Sequence, residues 1–593
     1  MPISLKNEMQ SIVLSYPRLA QRLKGREEET AKALALLKEI AADFSPRLVK
    51  PLLKLLDWLT GVLYDGLNVE SEDGTDLGEL VKNNSVVLVP NHQSHADYVA
   101  LNYYVYRTYG FPVYVAGGIN LNVFPIGRLF RASGCFFIRR SFNSDILYRL
   151  VLEAYIYYLL KQKKPIEFFF EGGRSRSGKL LSPKFGLYQL VFEAHRAIEE
   201  AERHPLKFVP VSIVHEYVPE QKTLSRELQG AEKKGESFLQ VLKVLKIFSK
   251  DLGTLHTRME KPFDPPISED QKEITKEAAH IGFDIVERNM IVTPPALLST
   301  ILLDAPTGAL KWESIVKRAE RILDFCRSFN IPLSPSLRDQ QLSVVLERAV
   351  DLMIANKKVS AIGRTRFGHV FYFIRPEARL EMLYFKNTVI HHFISAWIVN
   401  LFWINIFNGK LNTLDQFKAF FIKHSQRLKM EFSMPSEDLL EQRILEVMRH
   451  CLGRKIDSLQ ECLDFKPRDL FQLASGLSVF ARSGSFIVEG YFISARAIRS
   501  FGRLGKETFS YEQFYKEYLS VCNFETQHGG VVKNRECLSK PLIRNTLKYF
   551  ESEKIISNEL GKYTIVNREM LEQFILELQD DLATELMFNV RED

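Results

Sequence analysis

Cysteine is scarce in this sequence. The six cysteines, at positions 135, 326, 451, 462, 522 and 537, are scattered and form no CxxC pair. That excludes a zinc ribbon and a disulfide scaffold and fits a reducing compartment. A strong charge bias is also missing: 79 basic against 72 acidic residues leave +7 over 593 residues. So mild an excess allows an anionic substrate or an acidic membrane surface. With no zinc finger, RNA-recognition signature or long basic tract, it does not point to nucleic acid. The first thirty residues have charges spread through them and lack the apolar core of a signal peptide. Internal repeats and low-complexity segments are absent too.

Long uncharged runs are nearly absent. Residues 388–409, TVIHHFISAWIVNLFWINIFNG, carry no formal charge when histidine is neutral. The length would just span a bilayer. Its three asparagines and two histidines are poorly placed in hydrocarbon. We read it as a buried or interfacial helix.

What is present must fill more than one core, because 593 residues exceed what a single domain holds. Residues 1–45 read as charged helix. In 46–67, PRLVKPLLKLLDWLTGVLYDGL, the polar positions Lys50, Lys54, Asp57 and Gly61 recur at helical spacing and apolar residues fill the rest. That pattern suits a helix packed on the next domain or an interfacial membrane helix with a basic stripe. From 84 to 214, short apolar strands alternate with helices of crossover length. Strands are expected at 84–90, 112–117, 135–140, 166–170 and 208–214, and helices at about 96–107, 124–132, 144–162 and 185–202. Alternation of this kind predicts an α/β layer with a central mixed sheet flanked by helices. Its end is expected near 261–270, KPFDPPISED, where three prolines oppose regular structure. Beyond it the periodicity is mostly helical. The division expected is a helical N-terminal region at 1–80, an α/β domain at 81–270 and a mostly helical C-terminal region at 271–593.

Two loops carry chemistry. Residues 171–179, EGGRSRSGK, follow the apolar run IEFFF and contain GxxxxGK, the opening of a nucleotide P-loop. The residue after Lys179 is Leu180, so the hydroxyl that would bind magnesium is missing, and Arg174 and Arg176 stand where a cradle needs small residues. Arginine forks fit a clamp on one phosphate monoester better. The other loop, NHQSHADYV at 91–99, follows the strand that ends at Pro90. Five positions apart on one helix, His92 and Asp97 would not face each other. They can meet if His92 lies in the loop and Asp97 in the first helical turn, with Ser94 as N-cap. Asp97 could equally serve as the capping-box carboxylate alone. A His–Asp pair without a free serine or cysteine nucleophile suits removal of a proton from a substrate hydroxyl, the carboxylate holding the ring tautomer.

In order, NHQSHAD (91–97), GCFFIRR (134–140), FFEGGRSRSGK (169–179) and VPVSI (209–213) resemble the four motifs of the glycerolipid acyltransferases, most closely the glycerol-3-phosphate and dihydroxyacetone-phosphate branch. Flanking stretches LYDGL (63–67), PKFGL (183–187), LSRELQGAEKKGES (224–237) and RLEMLYFKNTVIHHF (379–393) are similar to that branch as well. The resemblance implies that His92 and Asp97 are catalytic. It implies substrate binding by Arg139, Arg140, Glu171, Gly172, Arg174, Ser175, Arg176 and Lys179, with the arginines and the lysine on the phosphate. It implies glycerol 3-phosphate and acyl-CoA or acyl carrier protein as substrates, dihydroxyacetone phosphate being the alternative acceptor. An inactive lipid-binding scaffold is the alternative of another class. It further implies no cofactor, no metal and no nucleic acid, and a peripheral or monotopic place on the cytoplasmic face of the inner membrane.

Overall fold

The computed structural model describes residues 3–139, 145–229, 252–305, 308–363, 370–503, 505–529, 532 and 534–587. The chain forms two compact units. The first contains 1–175, 180–220 and 233–291; the second contains 176–179, 221–232 and 292–593.

The first unit is built on a seven-stranded sheet. Its strands are β1 (Gly66–Ser71), β2 (Ser85–Pro90), β3 (Tyr114–Gly118), β4 (Phe136–Ile138), β5 (Ile166–Glu167), β6 (Leu206–His215) and β7 (Thr254–Met259). The order across the sheet is β1-β7-β6-β2-β5-β3-β4. Strands β2 to β6 run parallel, while β7 pairs antiparallel with β6 and parallel with β1. The sheet is therefore mixed and flanked by helices, as the alternating pattern predicted. The outer strands β1 and β7 are additions to that reading, and β1 comes from a stretch expected to be helical. Both are half-polar, TLHTRM and GLNVES, so neither shows the apolar run that marks a central strand.

The helices before the end of the parallel part are α1 (Ile3–Leu14), α2 (Pro17–Leu23), α3 (Glu27–Ile40), α4 (Pro46–Leu63), α5 (Leu77–Asn83), α6 (Ala96–Tyr109), α7 (Ile126–Ala132), α8 (Ile146–Lys161) and α9 (Gly186–Arg196). Strand alternation divides the core between the two faces. Val87 and Val89 join Ile166, Phe208, the largely buried helix α8 and Leu190 of α9 on one face. Val86 and Leu88 join Val209, Val211, Ile213, Leu77 and Leu101 on the other. The helix Gln271–Arg288 packs in the first cluster through Ile274, Ala278, Phe283 and Val286. Strand β2 is buried along its length because both faces and both edges are covered.

The strand expected at 166–170 and the helix expected at 185–202 are shorter than their periodicity suggested. The run 166–170 is regular strand only at Ile166–Glu167, although Phe168 N–H and Phe170 N–H still donate to Leu88 O and Pro90 O at 3.2 and 3.3 Å. The helix expected to reach 202 ends at Arg196, followed by a 3₁₀ turn at Glu200–Glu202.

The second unit is mostly helical, with two three-stranded antiparallel sheets. The stretch Pro376–Phe407 is long and apolar enough to cross a membrane by length and composition, and most of it is buried inside the protein. It divides into helices Arg379–Val389 and Ile394–Phe407, with Trp397, Phe402 and Ile404 fully buried.

Candidate active site

Parallel strands leave their loops at one end of the sheet, where ligands of open α/β sheets gather. Here β2, β5 and β6 are neighbours in the centre, and each delivers polar groups at its carboxyl end. After β2 the chain turns through Asn91 and His92 into α6, which places Asp97 in the first helical turn. His92 Nδ1 lies 2.8 Å from Asp97 Oδ2. The carboxylate is wholly buried, and the imidazole is stacked on Phe169 at 4.0 Å between ring centroids.

Asp97 makes both contacts that its spacing allowed. Its Oδ2 also accepts the N–H groups of Gln93 and Ser94 at 2.7 and 2.9 Å, which ties down the entry to the helix. The helix starts at Ala96 rather than directly after Ser94. Ser94 Oγ accepts from Ala96 N–H at 3.1 Å and donates to Glu220 Oε2 at 2.8 Å. That hydroxyl is engaged on both sides and is not a poised nucleophile.

Sequence reasoning missed His215. It ends β6, and its Nε2 lies 2.6 Å from Asp97 Oδ1, with both side chains fully buried. Burial alone would raise the Asp97 carboxyl. The hydrogen bonds of His215 and His92 outweigh it and hold the group well below the usual carboxylate range. For His92 burial lowers the affinity for a proton below the ordinary 6.5, although Asp97 pulls the other way. The site therefore holds a neutral imidazole against an ionised carboxylate, the charge state a general base requires.

The loop after β5 is laced to the loop after β2. Glu171 is buried, and its two oxygens accept His92 N–H at 2.5 Å and Leu181 N–H at 2.6 Å. Burial pushes this carboxyl up to about 8 against the pull of those two donors. Its role in the structure is to hold the two loops together. Ser175 N–H donates to His92 O at 2.8 Å. Gly172 takes φ +66°, which a residue with a Cβ adopts at a cost. Arg174 Nη1 lies 3.4 Å from Glu220 Oε1, and the guanidinium is close enough to His92 to oppose protonation of the ring. Glu220 is a second group that no spacing rule revealed. It lies in irregular chain after β6 and also accepts His95 N–H at 3.1 Å.

Arg139, Arg176 and Lys179 have partners of their own. Arg139 follows β4, the edge strand, three strands from β2 or roughly 14 Å by ordinary strand spacing. Glu39 of α3 takes its fork at 2.8 Å on both oxygens, and Tyr148 lies under the guanidinium at 4.4 Å. Arg140 lies outside the described residues. Arg176 and Lys179 belong to the second unit, where Glu227 pairs with Arg176 at 2.6 Å and Glu431 pairs with Lys179. A Cβ at Gly178 would meet Tyr384 O at 2.1 Å, so that turn admits only glycine. The GxxxxGK stretch is not followed by a helix until Gly186, whereas a P-loop opens directly into one.

Two family models match this chain. One, described as "Acyltransferase", covers residues 73–214 and so the loops just described. The other, described as "Glycerol-3-phosphate acyltransferase C-terminal region", covers residues 225–559, more than half of the 593 residues. The chain belongs to the glycerol-3-phosphate acyltransferase family. Curated relatives named glycerol-3-phosphate acyltransferase are similar in sequence. The one from Actinobacillus pleuropneumoniae (serotype 3) is 31% identical over 395 residues, 63% of this chain and 46% of the relative. Those from Haemophilus ducreyi and Ectopseudomonas mendocina are 32% identical over 398 residues and 30% over 388, covering 63% and 62% of this chain and 47% and 45% of theirs. The chain thus spans about half the length of the glycerol-3-phosphate acyltransferases it matches. A crystal structure of a 1-acyl-sn-glycerophosphate (LPA) acyltransferase from Thermotoga maritima is 18% identical, covers 48% of this chain and 96% of that one, and has a TM-score of 0.24, too low to argue from.

Proposed function

We propose that the protein transfers a fatty acyl group from acyl-CoA or acyl carrier protein to the sn-1 hydroxyl of glycerol 3-phosphate. The product is 1-acylglycerol-3-phosphate, the opening intermediate of phospholipid synthesis. The His92–Asp97 contact carries this reading. With Nδ1–H donated to Asp97, Nε2 is left as the basic nitrogen. It accepts the hydroxyl proton as the oxygen attacks the thioester carbonyl. The tetrahedral adduct collapses, the C–S bond breaks, and the thiolate recovers the proton from the imidazolium. Neither a covalent enzyme intermediate nor a cofactor enters this sequence. Holding both substrates in attack geometry contributes as much as the base or more.

Arg174 is the arginine best supported as the phosphate contact, since Ser175 N–H ties its loop to the backbone of His92. Arg139 could join only by exchanging Glu39 for the phosphate. Relatives named for glycerol 3-phosphate favour that acceptor over dihydroxyacetone phosphate.

A peripheral seat on the cytoplasmic leaflet of the membrane belongs to the same proposal. Helix α4 buries Val49 but leaves Leu48, Leu55, Trp58 and Val62 exposed, spaced as one helical stripe. Arg47, Lys50 and Lys54 are exposed with it. Apolar residues including a tryptophan, flanked by basic side chains, fit an anionic lipid surface. The deciding assay incubates the purified protein with palmitoyl-CoA and labelled glycerol 3-phosphate or dihydroxyacetone phosphate and identifies the lipid. Labelled 1-acylglycerol-3-phosphate is expected; labelled lipid only from dihydroxyacetone phosphate, or none, overturns the reading.

A further inference from the structure

Asp97 is gripped from two sides by imidazoles on different elements. One oxygen, Oδ2, faces His92 and the two backbone N–H groups of the loop; the other, Oδ1, has His215 at 2.6 Å. His215 itself is fixed. Its N–H donates to Gln93 Oε1 at 3.3 Å. Two residues earlier, Ile213 N–H and C=O pair with the Asn91 side chain at 2.7 and 2.9 Å. The catalytic loop is thus laced to β6 by side chains on both sides of His92. The Nδ1 of His215 is buried without a hydrogen-bond partner, so Nε2 carries the proton and donates to Asp97.

We propose that His215 is a positioning residue for acyl transfer, acting through Asp97: it occupies Oδ1 so that the carboxylate presents Oδ2 to His92 at a set rotation and a set basicity. The proposal rests on the acyltransferase reading for its catalytic consequence and on the His–Asp–His geometry for its physical one. A carboxylate that loses one of its hydrogen bonds concentrates more charge on the bonds that remain. Without His215, Oδ1 loses its donor, Asp97 is held through Oδ2 alone, and it stabilises the His92 imidazolium more strongly.

Other groups face this pair, and they limit what a pH profile can report. His95 and Arg174 oppose protonation of His92. Burial holds Tyr64 before β1, Glu167 in β5 and Glu171 after it protonated, and the Asp97 charge adds to that. Their contribution is shared by wild type and by variants at position 215, so the difference between those proteins isolates His215.

The test compares wild type with His215→Leu, which removes the donor, and His215→Gln, whose amide nitrogen can replace Nε2. For His215→Leu, kcat should fall about 10- to 100-fold, the loss expected for one hydrogen bond to a charged group. The KM for glycerol 3-phosphate should stay within about twofold, because uniform substrate binding is untouched. The acid limb of kcat/KM should move to higher pH, and His215→Gln should restore both limb and rate most of the way. Nitrogen-15 shifts of labelled histidines provide a readout independent of turnover, in which His92 should titrate higher in His215→Leu than in wild type. A lower melting temperature with an unchanged acid limb and unchanged His92 titration would make His215 merely structural and overturn the proposal; so would failure of His215→Gln to restore the limb. If wild type transfers no acyl group but His92 titrates as expected, the positioning role stands and the acyltransferase reading falls.

Discussion

The centre and the edge of the same sheet treat their charged groups differently. At the centre, the loops after β2 and β5 and the end of β6 bury His92, Asp97, His215 and Glu171 and satisfy the carboxylates with short hydrogen bonds. At the edge, the loop after β4 holds Arg139 against Glu39 with about a third of each side chain exposed. A central strand is flanked on both edges and covered on both faces, so a polar group at its end must find protein partners or remain unsatisfied. An edge strand offers water instead, and an ion pair there is screened. Residues of similar appearance in the sequence therefore differ in how tightly the fold commits them.

The largest test of that contrast is at the centre. His92→Ala should lower turnover by about 10²- to 10⁴-fold, the usual worth of a general base. Asp97→Asn should lose most of the same factor, because an amide cannot accept from both imidazoles and two N–H groups. Turnover per folded molecule, with folding checked by circular dichroism, measures this. If Asp97→Asn lowers only the melting temperature, the carboxylate serves the helix start alone.

Next in size is the comparison of two arginines. Arg174→Lys should raise the KM for glycerol 3-phosphate about tenfold or more, since a charged fork is lost beside the base. Arg139→Lys should change it less and cost about 0–1 kcal/mol of stability, as suits a part-exposed pair. Equal KM effects from both substitutions would mean that the edge arginine leaves Glu39 for the substrate, and the contrast would break.

A smaller effect appears with pH. In the proposed reaction His92 works as a neutral base, and burial lowers its proton affinity below the ordinary 6.5. Activity should therefore persist as pH falls through 6.5 and fail only below it. The sign for stability is the same: the unfolded ring takes up its proton first, so the stability contributed by neutral His92 is full above 6.5 and lost as pH falls. A kcat/KM profile whose acid limb lies above 6.5 would place a different group in control.

The smallest expected effect concerns α4. Lys50→Glu with Lys54→Glu should weaken sedimentation with anionic vesicles at low salt, by about 1 kcal/mol per basic residue at most. Equal binding by wild type and the double variant would remove this helix from the membrane interface.

Much of the site was legible because its chemistry is local. His92 and Asp97 lie in one short loop and helix start, and the strand before them is an unbroken apolar run, so both the pair and its place at a strand end could be read from spacing. His215 was legible only in part: it directly follows the apolar run at 208–214, but nothing in one dimension says that β6 lies beside β2. Glu220 gave no signal, being a carboxylate in irregular chain. Arg139 shows the opposite case. Its strand was readable, but its partner Glu39 is a hundred residues away on a helix.

By itself the sequence determined what short-range physics controls: the alternation of strand and helix, the amphipathic pattern of α4 and the His-x4-Asp pairing. The tertiary structure decided the order of strands across the sheet. That order put β6 against β2 so that His215 reached Asp97, and it left β4 at the edge so that Arg139 met Glu39. Strand order is set by burying faces of many elements at once, a cooperative choice among long-range pairings that no local pattern records.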